Sequence, residues 1–162
     1  MNIFYLSTDA ARAAVAQCDQ HVVKMILESA QLLSTAHHEI DGASPAYKPT
    51  HKNHPSAVWV RQSRLHYAWL WNHMRHLGIE YQKRFGKVHK TIQQYSQVLQ
   101  TPPVGLLGST FDHPPQCMPD ECKRDCAVEA YQVYYHAKAT DWASKGRPMR
   151  FFGQPYFEEI YK

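Results

Sequence analysis

Nowhere in this chain do about 18 apolar residues run together, so the sequence offers no membrane span and we expect no membrane partner. The opening "MNIFYLSTDAARAAV" has neither the basic region, the long apolar core nor the cleavage site of a secretory signal, which points to a cytoplasmic protein. Common catalytic signatures are missing too. "GKVHKT" lacks the upstream glycine of a phosphate loop, and no Gly-x-Ser-x-Gly elbow or G-x-G-x-x-G turn is present, which removes the easiest nucleotide-binding and hydrolase classes. Blocks of one charge sign are absent: "QKRFGKVHK" and "ECKRDC" are mixed or interrupted, unlike a nucleic-acid-binding tail.

Paired C-x2-C spacing is also lacking. The four cysteines, at 18, 117, 122 and 126, read as reduced thiols. His113, Cys117, Cys122 and Cys126 form H-x3-C-x4-C-x3-C, which has zinc-type ligands at an atypical spacing. His51 and His54 match a helical metal pair no better. The reading therefore carries no metal and no cofactor.

What is present is core-forming. Hydrophobic residues make up 44% of the chain, with ten Tyr, six Phe and four Trp, so it should bury a real core. At 162 residues it fits one domain, residues 1–162. Eighteen Lys and Arg against 14 Asp and Glu give a formal +4, enough to permit an anionic partner at a local face or pocket.

Helical periodicity dominates the chain. "MNIFYLS" reads as a strand or an extended segment; Ser7, Thr8 and Asp9 can cap a short helix, and Asp19 can cap the next, which runs to about His38. Gly42, Pro45, Pro49 and Pro55 then mark a loop of about 15 residues, long enough to suggest function or disorder. A second long helix is expected from Ser56 to about Leu77, two shorter ones around Gly78 and Gly86, and a last one from Asp120 or Glu121 to near Gly146. "TPPVGLLGSTFDHPPQCMP" is a second irregular stretch, and the tail "RPMRFFGQPYFEEIYK" is aromatic enough to dock on the body. The expected fold is all-α, a single compact domain of about five to seven helices with two long structured loops.

In "CDQHVVKMILESAQLLSTAH", His21, Lys24, Glu28, Gln31 and Thr35 fall on one line, within about 80° of the helix circumference. Apolar side chains fill an arc of about 220°, far wider than the stripe of a surface helix, so most of this helix must be buried. Its polar line is then either the remaining solvated side, with Lys24 and Glu28 an ordinary i, i+4 pair, or the wall of a cleft. Trp59, Gln62, His66, Trp69, His73 and His76 repeat the same spacing, and Trp59 or Tyr47 could stack on a base. Arg61, Arg64, Asn72 and Arg75 form the opposite, basic side. In the loop, Tyr47, Lys48, Thr50, His51, Lys52 and His54 gather just before a helix start, where free N–H groups favour an anion. Asp120 and Glu121 suit a helix start, or could supply an acid or base if they reach the cleft.

The segments "NIFYL…CDQHVVKMILESAQLLSTAH", "YKPTHKNHP", "WVRQS", "EYQKRFGKVH", "MPDE" and "AYQVYY" resemble a family of small proteins encoded by tailed bacteriophages, over about residues 2–152. More distantly the chain is similar to helical domains linked to hypermodified thymine in phage DNA, in hydroxymethyluracil DNA kinases and activated-base transferases. That resemblance implies recognition of a pyrimidine nucleotide or an extruded nucleic-acid base, in the cytoplasm of the bacterial host. It makes Asp19, His21, Lys24, Glu28, Gln31, Thr50, His51, His54, Glu80, Arg84 and Lys87 candidates. "PMRFF" departs from the Trp-Phe ending of the relatives.

Together these readings assign a cleft between the second helix, the Thr50–His54 loop and the Glu80–Lys87 segment. Lys24 and Arg84 would neutralise phosphate, and His21 or Glu28 would move a proton. Base-modification transfer is the expected reaction. The alternatives are a non-catalytic protein sequestering a nucleotide signal of host defence, and a DNA-binding module using Arg61, Arg64 and Arg75.

Overall fold

A computed structural model describes residues 1–155. Helices α1 (Ala10–Val15), α2 (Asp19–Asp41), α3 (Pro55–Val60), α4 (Arg64–Phe85), α5 (Lys90–Tyr95) and α6 (Ala127–Ser144) form an all-α domain. Single 3₁₀ turns cover Val98–Gln100 and Asp120–Cys122, and strands β1 (Arg150–Phe151) and β2 (Gln154–Pro155) make a small antiparallel hairpin. Of the expected tail, residues 156–162 lie outside the described residues; the part before them docks through Met149, which is buried.

The 23-residue α2 lies against α4, and the two carry the centre of the core. Val22, Ile26, Leu32 and Leu33 on one helix and Leu70, Met74 and Leu77 on the other are fully enclosed. The aromatic segment at the N terminus packs as extended chain: Ile3, Phe4, Tyr5 and Leu6 are all buried, yet none joins a strand.

Three helix boundaries differ from those expected. The helix expected from Ser56 is two, because Ser63 leaves the helical conformation and its Oγ accepts from Leu65 N, starting α4 afresh. Arg64 N donates to Gly108 O at this break, where a Cβ on Gly108 would lie 2.0 Å from Gln62 O; only glycine permits that approach. Conversely α4 runs straight through Gly78. That glycine makes room for Ile92 of α5, whose Cγ1 would come within 2.8 Å of a Cβ there. The last helix starts later than Asp120 or Glu121: the chain extends at Lys123, Gln116 brackets Arg124 through two hydrogen bonds, and Cys126 becomes the N-cap of α6.

Both long loops are ordered by side chains that reach for their backbone. Ser34 Oγ donates to Tyr47 O and accepts from Tyr47 N, while Thr35 Oγ1 accepts from Thr50 N. The Asp41 carboxylate accepts from Val104 N and Gly105 N, Trp59 Nε1 donates to Asp112 O, and Asp112 N donates to His66 Nε2. Side-chain partners replace the ladder bonds that these proline-rich segments cannot make.

Candidate functional site

One open cleft of about 570 Å³ lies between α2, α6 and the N-terminal segment. Helix α2 presents Gln20, His21, Lys24, Met25 and Glu28 to it, four of them polar residues at helical spacing. The line read from the sequence thus does face a cleft through His21, Lys24 and Glu28. Lys24 Nζ lies 3.5 Å from Glu28 Oε1; the ammonium is well exposed and the carboxylate mostly covered. The opposite wall is α6, where Tyr134, Lys138 and Trp142 follow one another at intervals of four. Lys138 Nζ sits 5.1 Å from the Tyr134 ring centroid and 5.4 Å from that of Trp142.

The floor is built by Phe4 and Asn2. Asn2 Oδ1 accepts from Ile3 N and Phe4 N, and its Nδ2 donates to Cys117 O, so one amide ties the first residues to the Cys117–Met118 rim. Phe4 holds φ at 55°, a costly conformation for an aromatic residue, with its ring 4.2 Å above His21 and nearly parallel to it. Strain of this kind persists only where the surroundings over-determine it, and it concentrates at working sites.

Imidazoles complete the cleft. His21 is 4% exposed, enclosed by Phe4, Trp142 and Tyr135, with Nδ1 paired to Tyr135 Oη at 2.9 Å. Burial, and then the ammonium groups of Lys138 and Lys24, push its pKa down to about 3. At neutral pH it is therefore an uncharged hydrogen-bonding group and too weak a base to accept a proton readily. His54 Nδ1 accepts from Ser56 N as the cap of α3, so neutral His54 carries its proton on Nε2. Burial first, then the Met1 amino group and His51, lower its pKa, with Glu28 opposing.

Several residues expected at this site serve elsewhere. Arg84 does not neutralise phosphate in the cleft: its side chain is 1% exposed, and all five N–H groups are spent on Glu80 Oε2, Asp19 Oδ1, Gln17 O and Val15 O. Asp19 caps no helix; besides Arg84 it accepts from Phe152 N and Gly153 N, pinning the C-terminal hairpin. Glu80 is the second counter-ion of the same buried cluster. Tyr47 places its hydroxyl 2.8 Å from Thr91 Oγ1 and its ring against Tyr95. Trp59 is 4% exposed and stacked on His66 at 4.3 Å, which leaves no face for a base on that side. Thr50 and His51 pair with each other in a turn where His51 has φ 47°, and only His54 of that loop reaches the cleft. Gln31 is half-buried and Lys87 exposed, and neither lines the cleft. Asp120 is fully exposed and paired with Lys123 at 2.7 Å; Met118 takes the place at the rim.

Sequence reading missed the α6 wall. "YYHAKATDW" holds its signal, the spacing of four that puts Tyr134, Lys138 and Trp142 on one line. Three of the four indole N–H groups donate to carbonyls, from Trp59, Trp69 and Trp71; among the described residues, none accepts from Trp142. Of the expected basic side, Arg64, Asn72 and Arg75 are exposed on α4, while Arg61, which caps the end of α3, is partly covered. Among the described residues no three His, Cys, Asp or Glu side chains come together as a metal set, those of His113, Cys117, Cys122 and Cys126 included. Comparison with protein-family models, with curated proteins and with solved structures finds no match for the chain.

Proposed function

We propose that this chain binds a nucleotide or a nucleic-acid base in the cleft between α2 and α6. The observation that carries this reading is the pairing, across about 570 Å³, of two ammonium groups, Lys24 and Lys138, with an aromatic wall of Tyr134 and Trp142. Cations attract phosphate, and flat aromatic faces stack on any base at roughly 1–3 kcal/mol. The Trp142 indole, neutral His54 and the Glu28 carboxylate supply the donors and acceptor that a base edge needs. The phage resemblance rests on the quoted motifs and supports the same ligand class in a bacterial host.

Binding without turnover is the reading that His21 favours, since an imidazole held neutral to about pH 3 serves recognition better than proton transfer. For a base-modification transferase the cleft offers Glu28 as an acid or base, the only carboxylate lining it among the described residues. Titration of the protein with the four deoxynucleotides, followed by analysis of the recovered ligand, tests both points. Binding with the ligand chemically unchanged supports the non-catalytic reading, and a product dependent on Glu28 replaces it with the transferase. Lys138→Ala and Trp142→Ala should each weaken binding by at least about tenfold, with a cooperative urea transition in each variant as the control that it stays folded. Full affinity in both variants would refute the assignment.

A further inference from the structure

The charge and the donor chemistry of the cleft restrict its ligand further, on the reading just given. Its charged side chains are two ammonium groups, Lys24 and Lys138, and one carboxylate, Glu28. Glu28 lies 3.5 Å from Lys24 and offsets part of its charge. Both lining imidazoles are shifted toward the neutral form, His21 to about 3 and His54 in the same direction. The Met1 amino group, which acts on His54 from the same lining, brings the surplus to about two positive charges, half of what a triphosphate carries.

Polyphosphate sites use stronger devices. A triphosphate brings about four negative charges at neutral pH, met elsewhere by glycine-rich backbone nests, by arginine forks or by a metal ion. Among the described residues no arginine lines this cleft, and Arg84, the guanidinium that the sequence offered, is sealed in its own cluster. Lys138, lying across Tyr134 and Trp142, stands where one phosphate can sit beside a base stacked on the same wall.

We infer that the cleft is built for a nucleotide bearing a single phosphate group and selects against polyphosphates. That chemistry has two sources, a free nucleoside monophosphate and one nucleotide unit within a DNA strand.

The test measures, by calorimetry at fixed ionic strength and without divalent metal, the affinities of each deoxynucleoside, its 5′-monophosphate and its 5′-triphosphate. For the preferred base the monophosphate should bind at least about tenfold more tightly than the nucleoside, and the triphosphate no more tightly than the monophosphate. Lys138→Gln should abolish the preference for monophosphate over nucleoside. The methyl ester of the monophosphate separates the sources: retained affinity identifies a strand unit, and its loss a free nucleotide. A triphosphate bound tenfold more tightly than the monophosphate, or a nucleoside bound equally well, would overturn this inference and leave the binding reading standing. Absence of binding by the whole series would instead remove the binding reading itself.

Discussion

Arg84→Met should cost the fold about 3–5 kcal/mol, the usual penalty for removing one partner of a buried ion cluster. The cost comes from what stays behind. Asp19 and Glu80 are 9% and 4% exposed; without the guanidinium Asp19 loses the cation that offsets its burial, and Glu80 keeps only the largely exposed Lys83, 3.3 Å away. Gln17 O and Val15 O lose their donors as well. The effect also has a direction through the structure, because Asp19 holds the backbone of Phe152 and Gly153, and Arg84 itself stacks 5.0 Å from the Phe152 ring. Urea denaturation should report the global loss, and amide exchange at Phe152 and Gly153 should accelerate first. Adding Glu80→Gln, which removes one stranded charge, should recover part of the stability. A stable Arg84→Met protein with unchanged exchange at the hairpin would show that the cluster is not structural.

Acid should destabilise the protein well above the range where carboxylates titrate. His73 is fully buried; it donates Nδ1–H to Ala10 O and sits 3.0 Å from Gln17 Nε2, and burial is the main cause that lowers its pKa to about 4. His21 is lowered to about 3. In the unfolded chain both titrate near 6.5, so below that pH the unfolded state takes up protons that the folded state refuses. Folded pKa values below the unfolded ones give stability that is complete above about pH 7 and is lost as the pH falls toward 4. By pH 4 the loss from each is on the order of 3 kcal/mol, the pKa difference converted at about 1.4 kcal/mol per unit. Urea midpoints between pH 7.5 and 4.5 measure it. His73→Asn, which keeps a donor near Ala10 O, should flatten the slope; a midpoint independent of pH in this window would contradict the assignment.

Much of the fold was legible because burial leaves a periodic trace. The wide apolar arc of α2 required the helix to be enclosed, and the structure encloses it between α4 and the rest of the core. The polar line on that helix was legible too, though it divides in two. His21, Lys24 and Glu28 face the cleft, whereas Thr35 is a buried anchor for the Thr50 backbone. Boundaries set by tertiary contact were not legible. Nothing local distinguishes Gly78, which continues its helix to admit Ile92, from a glycine that ends one. Arg84 and Glu80 sit in "EYQKRF" beside Gln82 and Lys83, which look as solvated as they do, and only the fold brings Asp19 to Arg84 from 65 positions away. The second cation of the cleft was hidden similarly, since Lys138 gains meaning only when α6 is laid against α2.

The central claim, that the α2–α6 cleft is a nucleotide site, is tested most directly by following backbone and indole N–H resonances during titration with deoxynucleoside monophosphates. The claim predicts saturable shifts at Lys24, Glu28, Lys138 and the Trp142 indole, with the Thr50–His51 turn and the Arg84 cluster unmoved. Shifts confined to that turn, to the exposed arginines of α4, or to no residue at all at millimolar ligand would contradict it.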